Sequence, residues 1–139
     1  MTQSKIICLD WGTLRWGLAS VDLRFGICLP RETLSGNNKY EVFLKILGEE
    51  SCTHVVIGYP YNLNGTPGKN CPAIDRVKKA LEKEGIKVTL WDERLSSETA
   101  AKSLIDQGIT RKKKDEMMDS QAALVILEEY LKSIPRGRQ

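Results

Sequence analysis

Histidine is nearly absent from this chain: His54 is the single one in 139 residues. One imidazole serves neither a Ser-His-Asp relay nor a Cys-His pair well, and a Cys/His zinc centre lacks its nitrogen donors. His54 opens the apolar run "HVVI" and reads as a plain strand residue. The cysteines (Cys8, Cys28, Cys52, Cys71) are scattered with no C-x-x-C spacing, which suits neither a metal site nor a disulfide framework. Also missing are an apolar run of membrane-spanning length and a signal-peptide pattern. The expectation is a cytoplasmic protein with no membrane partner. A strong excess of one sign of charge is missing too: a formal net charge of +3 permits a polyanionic partner without demanding one, because clustering matters more than the sum. Chemistry is left to carboxylates, hydroxyls and lysines.

What is present is an ordinary globular composition, 41% hydrophobic and 28% charged. It fits one domain over residues 1–139, long enough to bury about two-thirds of its unfolded surface. Lys5–Asp10 reads as a strand, Arg15–Leu23 as a second and Ile27–Thr33 as a third, with tight turns that imply antiparallel hairpins. Asn37-Asn38 offers caps for a helix over Tyr40–Glu50. His54–Ile57 is a short buried strand, and Gly58–Lys69 a long loop. A helix over Asn70–Glu84 and a strand over Lys87–Trp91 follow. "DERLSSETAAKSLIDQG" opens a further helix, with Ser96 as N-cap and Gly108 as its stop. "RKKK" interrupts, and Asp115–Lys132 forms the last helix. The order β-β-β-α-β-α-β-α-α predicts an α/β fold: a mixed five-stranded sheet, antiparallel at first and parallel later, with helices on both faces.

In such sheets ligands gather at the carboxyl ends of the parallel strands. Asp10 ends the first strand, and Asp92 and Glu93 end the last. Asp119 shares a helical stripe with Ala122, Ala123, Ile126 and Tyr130, an inward-looking face. Taken singly, Asp10 also suits a turn, Glu93 an ion pair with Arg94, Asp92 a backbone cap, and Asp119 a first-turn acid. Jointly they form a set that would repel unless a divalent cation held it. Oxygen-only ligation points to Mg²⁺ or Mn²⁺, and paired ions of that kind cleave phosphodiesters.

Four segments carry a family resemblance. "LDWGTLRWGLASVD" resembles the opening motif of the YqgF/RuvX family, "VVIGYPYNLNGTPG" its Gly-x-Pro loop, "DERLSS" its Asp-Glu-Arg-Leu motif, and "MDSQAALVIL" its final helix. The match runs through nearly the whole chain in the right order. It implies a ribonuclease-H-like fold and a nuclease; members are described as pre-16S rRNA nucleases and as Holliday-junction resolvases. Carried over by motif position, the catalytic and metal-binding acids are Asp10, Glu93 and Asp119. The departures are Leu14, where the family usually has Lys, and Trp16, where a smaller aliphatic is usual. The lost Lys removes a phosphate contact beside Asp10 and leaves Arg15 to supply charge.

The Gly58–Lys69 loop is long for a connection, and such loops are usually functional. Tyr59 and Tyr61 suit stacking on unpaired bases; Asn62, Asn64, Thr66 and Lys69 suit phosphate or sugar contacts. Arg94 is a further candidate beside the acids. Lys112, Lys113 and Lys114 suit a backbone phosphate, or equally a solvated connection. Trp11, Trp16 and Trp91 suit burial. The expected activity is a metal-dependent nuclease on structured nucleic acid, with precursor rRNA favoured over branched DNA and a monomer over a dimer. The rivals are a dimeric junction resolvase and a non-catalytic RNA-binding module. A nucleotide-binding ATPase lobe, suggested by D-x-G-T, would need a second lobe.

Overall fold

The computed structural model describes residues 4–61, 64–92 and 111–134, with the side chains of its last helix from Ser120 onward. Its strands are β1 (Lys5–Asp10), β2 (Arg15–Asp22), β3 (Ile27–Ser35), β4 (His54–Tyr59) and β5 (Lys87–Asp92). The described helices are α1 (Lys39–Glu49), α2 (Cys71–Lys83) and α3 (Arg111–Ser133). The strands form one sheet in the order β3-β2-β1-β4-β5. The β1–β2 and β2–β3 pairs are antiparallel, and the β1–β4 and β4–β5 pairs parallel. This is the mixed sheet expected from the order of the elements. The helix expected between Ser96 and Gly108 lies outside the described residues.

The hairpins form because their turns have the right residues. Gly12 lets the chain fold back after β1: a Cβ there would sit 2.5 Å from the Arg15 carbonyl oxygen. At the second turn the Asp22 carbonyl accepts from the Phe25 and Gly26 amides, each at 2.9 Å. Gly26 adopts φ 74° there, a conformation that costs a β-carbon-bearing residue energy.

Alternation along each strand feeds two cores. Ile7 and Leu9 of β1, Trp16 and Leu18 of β2, and Val55 and Ile57 of β4 pack beneath α1 and α2 with Phe43, Leu47, Ile74 and Leu81. Ile6, Cys8, Ala19, Val21 and Val56 face the other way, against Ala123, Ile126 and Leu127 of α3. Ala122 and Ala123 are both buried, and their small side chains let α3 lie close to the sheet. β1 is apolar throughout because it is central and covered on both faces.

Three boundaries move by two residues or more. β4 runs on past Ile57, because Gly58 pairs with Trp91 and Tyr59 with Asp92. β3 continues to Ser35, with a register shift opposite Gly17 and Ala19. α3 begins at Arg111, so the basic run belongs to a helix instead of interrupting two; Lys and Arg are good helix formers. Asn38 is the α1 N-cap residue, but its side chain makes no capping bond. Its carbonyl instead accepts from the Val42 amide at 3.0 Å.

Candidate active site

The parallel strands β1, β4 and β5 end together at one edge of the sheet, at Asp10, Tyr59 and Asp92. Asp10 is half-buried. It follows Ile6 and Cys8 in the alternation of β1, which directs it to the face covered by α3. On one side it pairs with Gly17 of β2. On the other, the register that sets Leu9 beside Ile57 brings Gly58 of β4 next to it. Glycine thus flanks Asp10 in both neighbouring strands.

The next strands complete a row across the sheet. Gly17 pairs with Thr33 of β3, and Gly58 with Trp91 of β5. Strand spacing places the backbones of β1 and β5 about 10 Å apart, with β4 between them. Trp91 packs into the α3-side core and Leu90 into the other, so Asp92 belongs to the α1/α2 side. Glu93, the next residue in the chain, lies outside the described residues.

The helix α3 is pinned to this row by Ser120. Its buried hydroxyl donates to the Arg31 carbonyl at 2.7 Å and lies 3.1 Å from the Thr33 Oγ1. Asp119 precedes Ser120 in α3, and its side chain lies outside the described residues. Further along, Tyr130 packs edge-on to Trp91 at 6.2 Å and to His54 at 6.0 Å.

The surrounding candidates fare differently. Tyr59 is only 7% exposed. Its ring joins the core beneath α1 and α2, and its hydroxyl donates to Asp75 at 3.1 and 3.2 Å. Burial, with Cys71 and Asp75 beside it, pushes that phenol well above its ordinary pKa. Tyr59, expected to stack on bases, is turned inward by strand alternation, opposite the face of Gly58. Tyr61 is half-buried and stands 5.0 Å from the Tyr59 ring. Lys69 is exposed. Asn64 Oδ1 accepts from the Thr66 amide at 3.1 Å and the Thr66 hydroxyl at 2.7 Å, so this pair shapes the loop. Arg15 is half-buried at the start of β2, paired with Ser35. Asn62 and Arg94 lie outside the described residues. Lys112, Lys113 and Lys114 occupy the first turn of α3, ahead of its described side chains.

His54 sits at the far end of β4, its Nε2 3.0 Å from the Thr89 hydroxyl. Burial and then Lys87 hold its pKa below the usual value. It is a structural residue, as its place in an apolar run indicates. What sequence reasoning missed is Ser120, since a serine beside a helical stripe carries no signal of the carbonyl it meets.

The sheet order and the acid-bearing edge define a ribonuclease-H-like fold. The chain is similar to the solved structure of Thermus thermophilus RuvC, with a TM-score of 0.55 and 12% identity over 92% of this chain and 95% of that one. The T. thermophilus RuvC solved in complex with a Holliday junction substrate is equally similar, with a TM-score of 0.55 and 14% identity over 94% and 96% of the two chains. Residues 4–133 match the RuvX family, described as Holliday junction resolvase. The chain belongs to that family. Its relatives include a Geobacillus sp. protein named "Putative pre-16S rRNA nuclease", 37% identical over 93% of this chain and 98% of the relative. A protein of the same name from Carboxydothermus hydrogenoformans is 39% identical over 91% and 95% of the two chains.

Proposed function

We propose that this chain is a divalent-metal-dependent nuclease that trims the 5′ end of precursor 16S rRNA in the cytoplasm. The observation that carries the reading is Asp10, set between two glycine positions on the α3 face where the parallel strands end. Relatives of nearly full length that bear a pre-16S rRNA nuclease name support the substrate.

The donor chemistry of this edge fits Mg²⁺ or Mn²⁺. Asp10 offers hard carboxylate oxygen, while the single histidine lies at the other end of β4. Asp10, Glu93 and Asp119 would hold the ions. Such ions, when bound, activate water and neutralise charge on the phosphate. The chain's own part is positioning. The flanking glycines would let a phosphodiester approach Asp10, and the Ser120 hydrogen bond ties α3 to β3 beside it. Arg15, Lys69, Arg94 and Lys112–Lys114 would supply positive charge for neighbouring phosphates, and Tyr61 and Asn62 would contact the nucleic acid. No protein nucleophile is required.

A second reading, a junction resolvase, is favoured by the family description and by the RuvC-like fold. It needs two clefts and hence a symmetric dimer. The deciding experiment incubates the protein, with Mn²⁺ and without, with precursor rRNA, a four-way junction and single strands, alongside sedimentation at micromolar concentration. The expected result is a monomer that trims single-stranded RNA beside a folded element only when the metal is added. A tight dimer nicking the junction symmetrically, and inert on precursor RNA, would overturn it.

A further inference from the structure

On the opposite face of the sheet from Asp10 lies an open pocket of about 310 Å³. Its walls include Trp11 and Trp16 from the β1–β2 hairpin, Tyr40 from α1, and Arg76, Val77 and Ala80 from α2. The volume is at the lower end for sites that take small planar ligands. Three aromatic rings, an aliphatic base and one guanidinium are the combination on which a nucleobase stacks.

We infer that this pocket binds an unpaired base of the substrate strand next to the phosphate at Asp10, an inference that rests on the nuclease reading. Trp11 is the residue after Asp10, with about 3.8 Å between their Cα atoms. Alternation sends Trp11 to the α1/α2 side, where it packs on that core, and Asp10 to the α3 side. A strand crossing this edge can therefore leave a phosphate on one side and turn a base onto Trp11 on the other. Charge is arranged to suit. Arg76, Lys79 and Lys83 are exposed along α2, while Glu84 and Glu41 stand nearer Tyr40, where, after burial itself, they raise its pKa. The acids keep the sugar-phosphate backbone to the Trp11 side. Trp16, only 4% exposed, contributes a buried indole N–H with no hydrogen-bond partner among the described residues.

The test uses the full chain in the absence of divalent metal. A single-stranded RNA, the same RNA with one abasic nucleotide moved along it, and the matching DNA are titrated against wild type, Trp11→Ala, Trp11→Phe and Arg76→Ala. One abasic position should weaken wild-type binding about tenfold, as expected for loss of one stacked base. Trp11→Ala should weaken binding of intact RNA equally and be indifferent to that position. Trp11→Phe should retain most of the affinity, and Arg76→Ala should lose less than Trp11→Ala. Matching circular dichroism and melting curves establish that the variants fold. Equal effects on DNA would assign the pocket to bases of either sugar, and a larger effect on RNA to the RNA strand. A flat abasic scan, or Trp11→Ala binding like wild type, overturns the inference. Mn²⁺-dependent cleavage of the same RNA by wild type is measured in parallel. If cleavage persists with a flat scan, only the pocket fails; if the protein neither binds nor cuts RNA, the nuclease reading fails with it.

Discussion

Ser120 on α3 donates its hydroxyl hydrogen bond to the Arg31 carbonyl of β3 at 2.7 Å, tying the start of the described helix face to an edge strand. The Thr33 hydroxyl beside it belongs to the residue that pairs with Gly17, which in turn pairs with Asp10. One hydroxyl thus ties α3 to the row of residues that includes Asp10.

Replacing Ser120 with Ala should lower stability by about 1–3 kcal/mol, the usual cost of leaving a buried acceptor unpaired. Cleavage should fall more than substrate affinity, because the change acts through placement of the neighbouring Asp119. A denaturant titration and a kcat-against-KM comparison check both. Equal losses in kcat and affinity would make Ser120 a stability residue only.

Asp10→Asn should abolish cleavage while leaving RNA binding unchanged or tighter, since it removes a carboxylate ligand and a negative charge together. Binding measured without metal, and cleavage with Mn²⁺, separate the two effects. Residual cleavage above a few per cent would place the metal elsewhere.

Replacing Lys112, Lys113 and Lys114 with Ala should weaken RNA binding and flatten its dependence on salt. Each phosphate contact to a single strand contributes a slope of about −0.7 in log K against log salt, so loss of all contacts should reduce the slope by about 2. An unchanged slope would show that the first turn of α3 faces only solvent.

The fold should lose stability in acid through Glu50. Arg31 chiefly, and Lys5 with it, holds its carboxyl at about 2, below the ordinary 4.5. The unfolded chain therefore takes up this proton first, so the stabilisation is complete above pH 4.5 and disappears as pH falls toward 2. Glu50→Gln should cost about 2 kcal/mol at neutral pH and flatten the stability profile over that window. A residual slope should remain from Asp22, which its bonds to Arg24 also keep ionised. Denaturant midpoints across pH give the answer, and an undiminished acid slope in the variant would show that the ion pair is screened by water.

Strand periodicity, turn residues and the order of elements were legible in the residues themselves. Alternation in β1 and the glycine turns are local, and local sterics and burial patterns leave traces at fixed spacing. Asp10 and the inward stripe of Ala122, Ala123 and Ile126 were readable for the same reason. The extension of β4 to Tyr59 was not, because a glycine–tyrosine pair becomes strand only when β5 lies alongside.

The sequence by itself determined the family, the two-sided character of β1 and the supply of carboxylates without nitrogen ligands. Only the tertiary structure decided which partners the described residues at this end of the sheet meet. It turned Tyr59 inward to Asp75, pinned α3 through Ser120, and gathered Trp11, Tyr40 and Arg76 around one pocket. Those outcomes depend on partners distant in the chain. Packing and hydrogen bonding across such distances select among conformations that local preference leaves nearly equal.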